Sequence, residues 1–223
     1  MKKYSLIWKF LKENKLYFFI ISGLFVFSAV FGFLFPVFFS DFIKKFVEEL
    51  SKQTEGMGFW QLFAFIFNNN LSTAFFGMVF GLFFGIIPVI VVFFNGYLLG
   101  FISNAVASSQ GFLVLFRLLP HGIFEIPALI LSLGLGLKFG ISFLLNFLKF
   151  YKKKMNIYFM IVLLILFPLV FFIVSFILSL IRKQLRKNLG FDLKNIIFVF
   201  IYVVLPLLFV AALIEAGLII LLK

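Results

Sequence analysis

One stretch of the sequence organises the rest of the chain: Leu118-Leu119-Pro120-His121-Gly122-Ile123-Phe124-Glu125-Ile126-Pro127-Ala128. It holds the only histidine, and a helix would place His121 and Glu125, four residues apart, on one face. Pro120 suits the first turn of such a helix, where its missing N–H costs nothing. Pro127 would leave the carbonyl of Ile123 without its helical partner and so favours a kink. Polar side chains in such an apolar sequence make this stretch the first candidate for a functional site.

The composition places this candidate site in a membrane. Of the 223 residues, 64% are hydrophobic, and the mean hydropathy is +1.22, whereas a soluble domain is nearer half apolar. Several uncharged runs approach the roughly 20 residues that span a bilayer, which predicts a polytopic membrane protein. The net charge of +12 comes from short basic segments beside these runs. This pattern is typical of cytoplasmic loops that contact anionic lipids, and we expect no nucleic-acid binding.

The sequence predicts one all-α transmembrane domain over residues 1–223, with about six membrane helices, some short or broken, and interfacial amphipathic helices. Its parts are a basic interfacial N-terminus, a first span, an outer amphipathic loop and a broken-helix bundle, at residues 1–15, 16–40, 41–70 and 71–223. Five lysines before the first span predict a cytoplasmic N-terminus. In the outer loop, apolar and charged residues alternate with helical period over 41–52. A second interfacial helix is expected at 59–67.

Helix breaks are predicted at four prolines: Pro88, Pro120, Pro127 and Pro206. The uncharged run 71–107 is too long for one span, so we expect two short helices, interrupted near Pro88 and Asn95-Gly96. Asn70 would cap the first of them. The polar stripe over residues 138–154 predicts either a separate interfacial helix or the polar end of a long fourth span.

The expected topology has six crossings of the cell membrane with both termini in the cytoplasm, the last two at 156–181 and 195–222. This arrangement satisfies the basic N-terminus. It puts the five Lys and Arg residues of 182–194 on the outer side, against the charge rule. The fourth and sixth spans run parallel in this count.

Glycines recur at every fourth position in several segments, which predicts faces where helix backbones approach closely in lipid. The glycines of these faces are Gly77, Gly81, Gly85, Gly96, Gly100, Gly136 and Gly140. They could join helices within one chain or between copies, and we expect a homo-oligomer, specifically a dimer.

Five polar residues within apolar runs form the candidate intramembrane site: Asn95, Arg117, His121, Glu125 and Glu215. An ionised carboxylate in lipid costs at least about 2.5 kcal/mol, so both glutamates should face the bundle interior. Three interpretations stay open. They are a polar network that fixes helix register, a relay or path for a proton, ion or solute, and a zinc site of His121, Glu125 and Glu215. Parallel fourth and sixth spans would separate Glu215 from His121 by ~10 Å or more along the axis, which counts against zinc.

Motifs of known enzyme chemistry do not occur in this sequence. It lacks H-E-x-x-H, a Walker phosphate loop and G-x-S-x-G, and it has no cysteine for a thiol nucleophile or a thiolate metal site. We therefore expect no catalytic residue, no metal and no cofactor. The alternative is an intramembrane metal-dependent enzyme.

The stretch around His121 resembles the hallmark of the stage II sporulation protein M family. That family is similar in three further features: an asparagine pair before a glycine-spaced helix, an Asn-Gly pair with glycine four residues on, and an Ala-x-x-x-Glu-Ala ending. The corresponding segments here are 68–70 with 77–85, 95–100 and 211–216. The resemblance covers roughly residues 60–220.

The resemblance implies an integral membrane protein. In spore formers, members of the family act with a cell-wall hydrolase and another membrane partner during engulfment, and the family extends to archaea. Two functions follow as hypotheses. One is a non-enzymatic scaffold or assembly component of a membrane complex. The alternative is a channel-like or transporter-like passage for an ion, proton, small solute or lipid. Anionic lipids, a second copy and other membrane proteins are the expected partners.

Overall fold

The chain folds as a bundle of long helices. A computed structural model describes residues 2–112, 119–151 and 193–221, and this part contains helices and no strand. The helices are α1 (Lys2–Glu13), α2 (Lys15–Leu34), α3 (Ser40–Thr54), α4 (Phe59–Val79), α5 (Ile86–Gln110), α6 (Leu119–Tyr151) and α7 (Leu193–Leu221). Among the described residues, five helices (α2 and α4–α7) are long and apolar enough to cross a membrane. The predicted all-α membrane bundle is therefore confirmed, whereas the span predicted at 156–181 lies outside the described residues.

The first three helices follow local sequence signals. The apolar side of α1 buries Ile7 and Phe10 against the bundle, as expected of an amphipathic segment. α2 ends at Leu34, short of the predicted boundary at residue 40, because the residue before Pro36 disfavours helical geometry. α3 is amphipathic, as its periodicity predicts, and buries only Ile43.

The asparagines 68–70 lie inside α4, so two predictions for this region were wrong. α4 is one helix from Phe59 to Val79, without a separate interfacial helix at 59–67 and without a cap at Asn70. Its first turns are held by packing, since Leu62 and Ile66 lie in one cluster with Ala212 of α7. This burial outweighs the tendency of asparagine to end a helix.

The break between α4 and α5 lies at residues 80–85, before the position predicted. A 3₁₀ turn over Phe80–Leu82 follows α4, and Gly85, at φ +79°, precedes α5. A glycine adopts this left-handed conformation at little cost. Pro88 lies in the first turn of α5, where no N–H is needed, and Asn95-Gly96 lies within the helix, so neither interrupts the chain.

Two further prolines lie inside continuous helices, which corrects the breaks predicted there. α6 continues through Pro127 to Tyr151, so the residues after 138 are the end of one long helix. α7 contains Pro206 two residues after the end of a π-helical turn, Phe200–Val204. Such turns redistribute the backbone hydrogen bonds around a missing N–H, so a membrane helix tolerates the proline. Pro120 is the second residue of α6 and lies at its start.

The contacts of α4 fix the directions of its neighbours. The Ser132 hydroxyl of α6 donates a hydrogen bond of 2.6 Å to the Ala74 carbonyl of α4, and further along Gly81 meets Gly136, so α4 and α6 run parallel. The contacts between α4 and α7 follow the opposite order along the two helices, so α4 and α7 run antiparallel. Phe63 packs on Phe209 and Phe75 packs on Phe200, with ring centroids 5.2 and 5.8 Å apart.

These directions contradict part of the predicted topology. α7 runs antiparallel to α6. α2 runs parallel to α5, because Ser28 meets Gly96 and Phe33 meets Gly100, and α5 turns back from α4. The last described residues therefore lie at the end of the bundle opposite the start of α2. Both termini on one side was therefore a wrong prediction. The arrangement also removes the conflict in charge, because Lys15 at the start of α2 and Lys194 at the start of α7 lie at the same end.

The glycine faces lie at contacts between helices of one chain. A Cβ on Gly81 would overlap the backbone of Gly136, and one on Gly140 would overlap the backbone of Gly81 and Gly85. α2 and α5 meet in the same way, because a Cβ on Gly100 would overlap the Ala29 carbonyl. The remaining predicted positions are also crowded: Gly77 by Leu133, Gly85 by Leu137, Gly136 by Gly77 and Met78, and Gly96 by Ser28 and Phe25.

Candidate functional site

The organising stretch forms the start of α6. His121 and Glu125 lie in its first two turns, one helical turn apart, and Glu125 is half-buried. Arg117 and the side chain of His121 lie outside the described part of the chain. The coupling of His121 with Glu125 therefore stays a prediction.

Glu215 lies toward the end of the bundle at which α6 begins. The contacts Ala74–Ser132 and Phe63–Phe209 relate both helices to α4. Counting from them at about 1.5 Å per residue, the backbone of Glu215 lies ~9 Å from the height of His121 and ~15 Å from that of Glu125. The predicted parallel packing of the two spans was wrong, because α6 and α7 run antiparallel, yet an axial separation close to the predicted one remains.

A metal site is not apparent among the described side chains. No group of three His, Cys, Asp or Glu lies close enough together there to hold a metal ion. Because the search does not include the His121 side chain, the trio of His121, Glu125 and Glu215 stays untested.

Asn95 belongs to a different place, a half-open groove between α3, α4 and α5. The groove has a volume of about 220 Å³ and is lined by Phe42, Ile43, Phe46, Thr73, Phe94, Asn95 and Leu98. The Asn95 carboxamide donates a hydrogen bond of 2.8 Å to the Val91 carbonyl of its own helix. Asn95 is near the middle of α5, whereas His121 and Glu215 lie near helix ends. The structure thus divides the predicted polar set.

Several interior polar groups were missed by the sequence reasoning. The Tyr97 hydroxyl of α5, which is 2% exposed as a residue, donates to the Phe35 carbonyl at 2.8 Å and to that of Phe38. The Asn104 carboxamide donates to the Phe33 carbonyl at 2.9 Å. These bonds hold the end of α2 and the following turn. The sequence signal for these bonds was the spacing of Tyr97 and Asn104, which are seven residues apart and so lie on one face of α5.

Lys138 is the other residue whose position the sequence did not reveal. It lies in the apolar part of α6 and is 5% exposed. Its Nζ lies 5.1 Å from the centroid of the Phe10 ring, so α1 covers it and the ring face stabilises its charge.

Tyr97→Phe should lower the free energy of unfolding by about 1–2 kcal/mol, since the carbonyls at the end of α2 lose a buried donor. Thermal unfolding in detergent measures this. Tyr17→Phe is the matched control, because the Tyr17 hydroxyl has no hydrogen bond among the described residues, and its effect should be near zero. Equal effects of the two changes would mean that the Tyr97 bonds do not contribute.

The long apolar helices, their close packing and the intramembrane polar residues define the class of an all-helical membrane protein. The family model of Stage II sporulation protein M matches residues 21–218. The chain therefore belongs to this family, as the stretch around His121 led us to expect. Among curated proteins and among solved structures, none matches the chain at a significant level.

Proposed function

We propose that this protein is a non-enzymatic scaffold component of a membrane complex. One observation carries the proposal: polar groups inside the bundle are engaged with the backbone of neighbouring helices. Ser132 bonds α6 to α4, and Tyr97 and Asn104 bond α5 to the end of α2. Polar groups used in this way fix helix register and hold a rigid platform. The complex in which family members act in spore formers agrees with this role.

The orientation that we propose places the start of α2 in the cytoplasm of a cell with this protein in its plasma membrane. Exposed lysines of α1, among them Lys9 and Lys12, lie at the same end as Lys15 and Lys194. An excess of basic residues at one end marks the cytoplasmic side. The same lysines would attract anionic lipid head groups, each contributing roughly 1 kcal/mol near the surface.

A passage for protons or ions is the second candidate, and one observation favours it. The antiparallel packing of α6 and α7 brings Glu215 to the end of the bundle that holds His121 and Glu125, so three ionisable groups lie in the same part of the bundle. Intramembrane groups of this kind mark ion and proton pathways in other membrane proteins.

Flux through reconstituted vesicles separates the two functions. Under the scaffold proposal, vesicles with the purified protein should show proton and cation flux no higher than empty vesicles, measured with a pH-sensitive dye and a membrane potential. Native gels of gently solubilised source membranes should show the protein in a complex larger than a dimer. A flux that Glu215→Gln or Glu125→Gln abolishes, in variants with normal thermal stability, would overturn the scaffold and establish the passage.

A further inference from the structure

α3 is attached to the bundle by a small contact. Of its residues only Ile43 is buried, against Tyr97 and Phe101 of α5. The Phe42 ring also meets the Phe94 ring, with centroids 6.1 Å apart. Beyond Phe46 the helix has no buried residue. A 15-residue helix is marginal on its own, so a further contact would stabilise α3.

The open side of α3 carries six exposed charges, three acidic and three basic: Asp41, Lys44, Lys45, Glu48, Glu49 and Lys52. All of α3 is described, and none of these six forms an ion pair within it. The first turns of α3 pack against the middle of α5. A charge that faces lipid near the bilayer centre costs roughly 2.5–3.5 kcal/mol, so a protein surface of opposite charge would stabilise any part of this face that meets lipid.

When α3 is read in the opposite direction, each of its six charges falls opposite a charge of the other sign in the forward direction. Two antiparallel copies centred between residues 46 and 47 place Asp41 opposite Lys52, Lys44 opposite Glu49, and Lys45 opposite Glu48. Twofold symmetry makes each of these attractions twice. A second copy of this chain therefore supplies every charge that the pairing needs.

Membrane insertion restricts the geometry of such a pair. Both copies insert in the same direction, so their twofold axis lies along the membrane normal, and antiparallel helices must then lie along the membrane plane. Among the described residues the contacts of α3 with the bundle end at Phe46, which lines the groove between α3, α4 and α5, so the rest of α3 is not packed alongside α5.

We propose that α3 is a dimerisation helix whose charged face binds the α3 of a second copy in antiparallel orientation. Phe46 and Val47, 38% and 39% exposed, flank the charged face on its two sides and add apolar contact. The glycine faces take no part, since they are used within the chain. This dimer goes beyond the scaffold function and does not depend on it.

Charge reversal tested in trans decides the proposal. Lys45→Glu places acids opposite acids across the axis, and Glu48→Lys places bases opposite bases, so each variant alone should dimerise at least about tenfold more weakly than the wild type. Mixing the two variants restores both attractions and should restore a heterodimer. Dimer fractions are measured in lipid nanodiscs or mild detergent by native mass spectrometry, with one variant isotopically labelled.

Two controls keep this test interpretable. Lys12→Glu, at an exposed position of α1, changes the net charge of the chain by the same amount as Lys45→Glu and should leave the dimer fraction unchanged. Thermal unfolding should show that all variants fold. Recovery of the dimer in the mixture can come only from pairing between the two different variants, because each chain still carries its own reversed charge. A monomeric wild type, undiminished dimers in both single variants, or a mixture that stays monomeric would each overturn the proposal.

Discussion

Gly140→Ala should be among the most destabilising single-methyl changes in the protein, costing ~3 kcal/mol. The added Cβ would overlap the carbonyl of Gly81 and the amide of Gly85 and lie 2.9 Å from the Cα of Gly85. These are backbone atoms at the tight turn between α4 and α5, so they cannot move aside as a flexible side chain would. The midpoint of thermal unfolding in detergent should therefore fall sharply.

Gly23→Ala in α2 is the matched control. A Cβ at Gly23 meets nothing within 4 Å, and alanine in place of glycine in an open helix position stabilises by about 0.5–1 kcal/mol. The two identical substitutions should therefore shift the melting midpoint in opposite directions. A neutral Gly140→Ala would mean that α6 does not approach the turn between α4 and α5 this closely.

Single cysteines at Lys12 and Leu221 should label from opposite sides of the membrane. The chain has no cysteine of its own, and both positions are exposed. α7 runs parallel to α2, so the two sites lie at opposite ends of the bundle. An impermeant maleimide should modify Leu221→Cys in intact cells and Lys12→Cys only after the membrane is opened, which is an all-or-none difference.

Gln53→Cys, near the exposed end of α3, supplies the reference for this experiment. It follows the first span and should label from the same side as Leu221→Cys. Labelling of Lys12→Cys and Leu221→Cys from one side would restore the six-crossing topology with both termini in the cytoplasm, and it would contradict the antiparallel packing of α6 and α7.

Apolar length and periodicity were enough to predict much of the fold. The amphipathic helix α3 and the last span, expected at 195–222 and observed at Leu193–Leu221, agree closely with the sequence pattern. Asn70 and Pro127 show where local signals fail. Both residues favour a helix end in isolation, yet both lie inside helices because packing on neighbouring helices outweighs these preferences.

The sequence by itself determined the membrane class, the family and the candidate polar residues, because hydrophobic length and motif order are properties of the linear chain. Only the tertiary structure decided which of these residues meet. It placed Glu215 at the same end of the bundle as His121, left Asn95 in a separate groove, and showed that the glycine faces join helices of one chain. Helix direction and rotation depend on contacts between distant segments, such as Ser132 with Ala74. The spacing of residues within one segment does not predict these contacts.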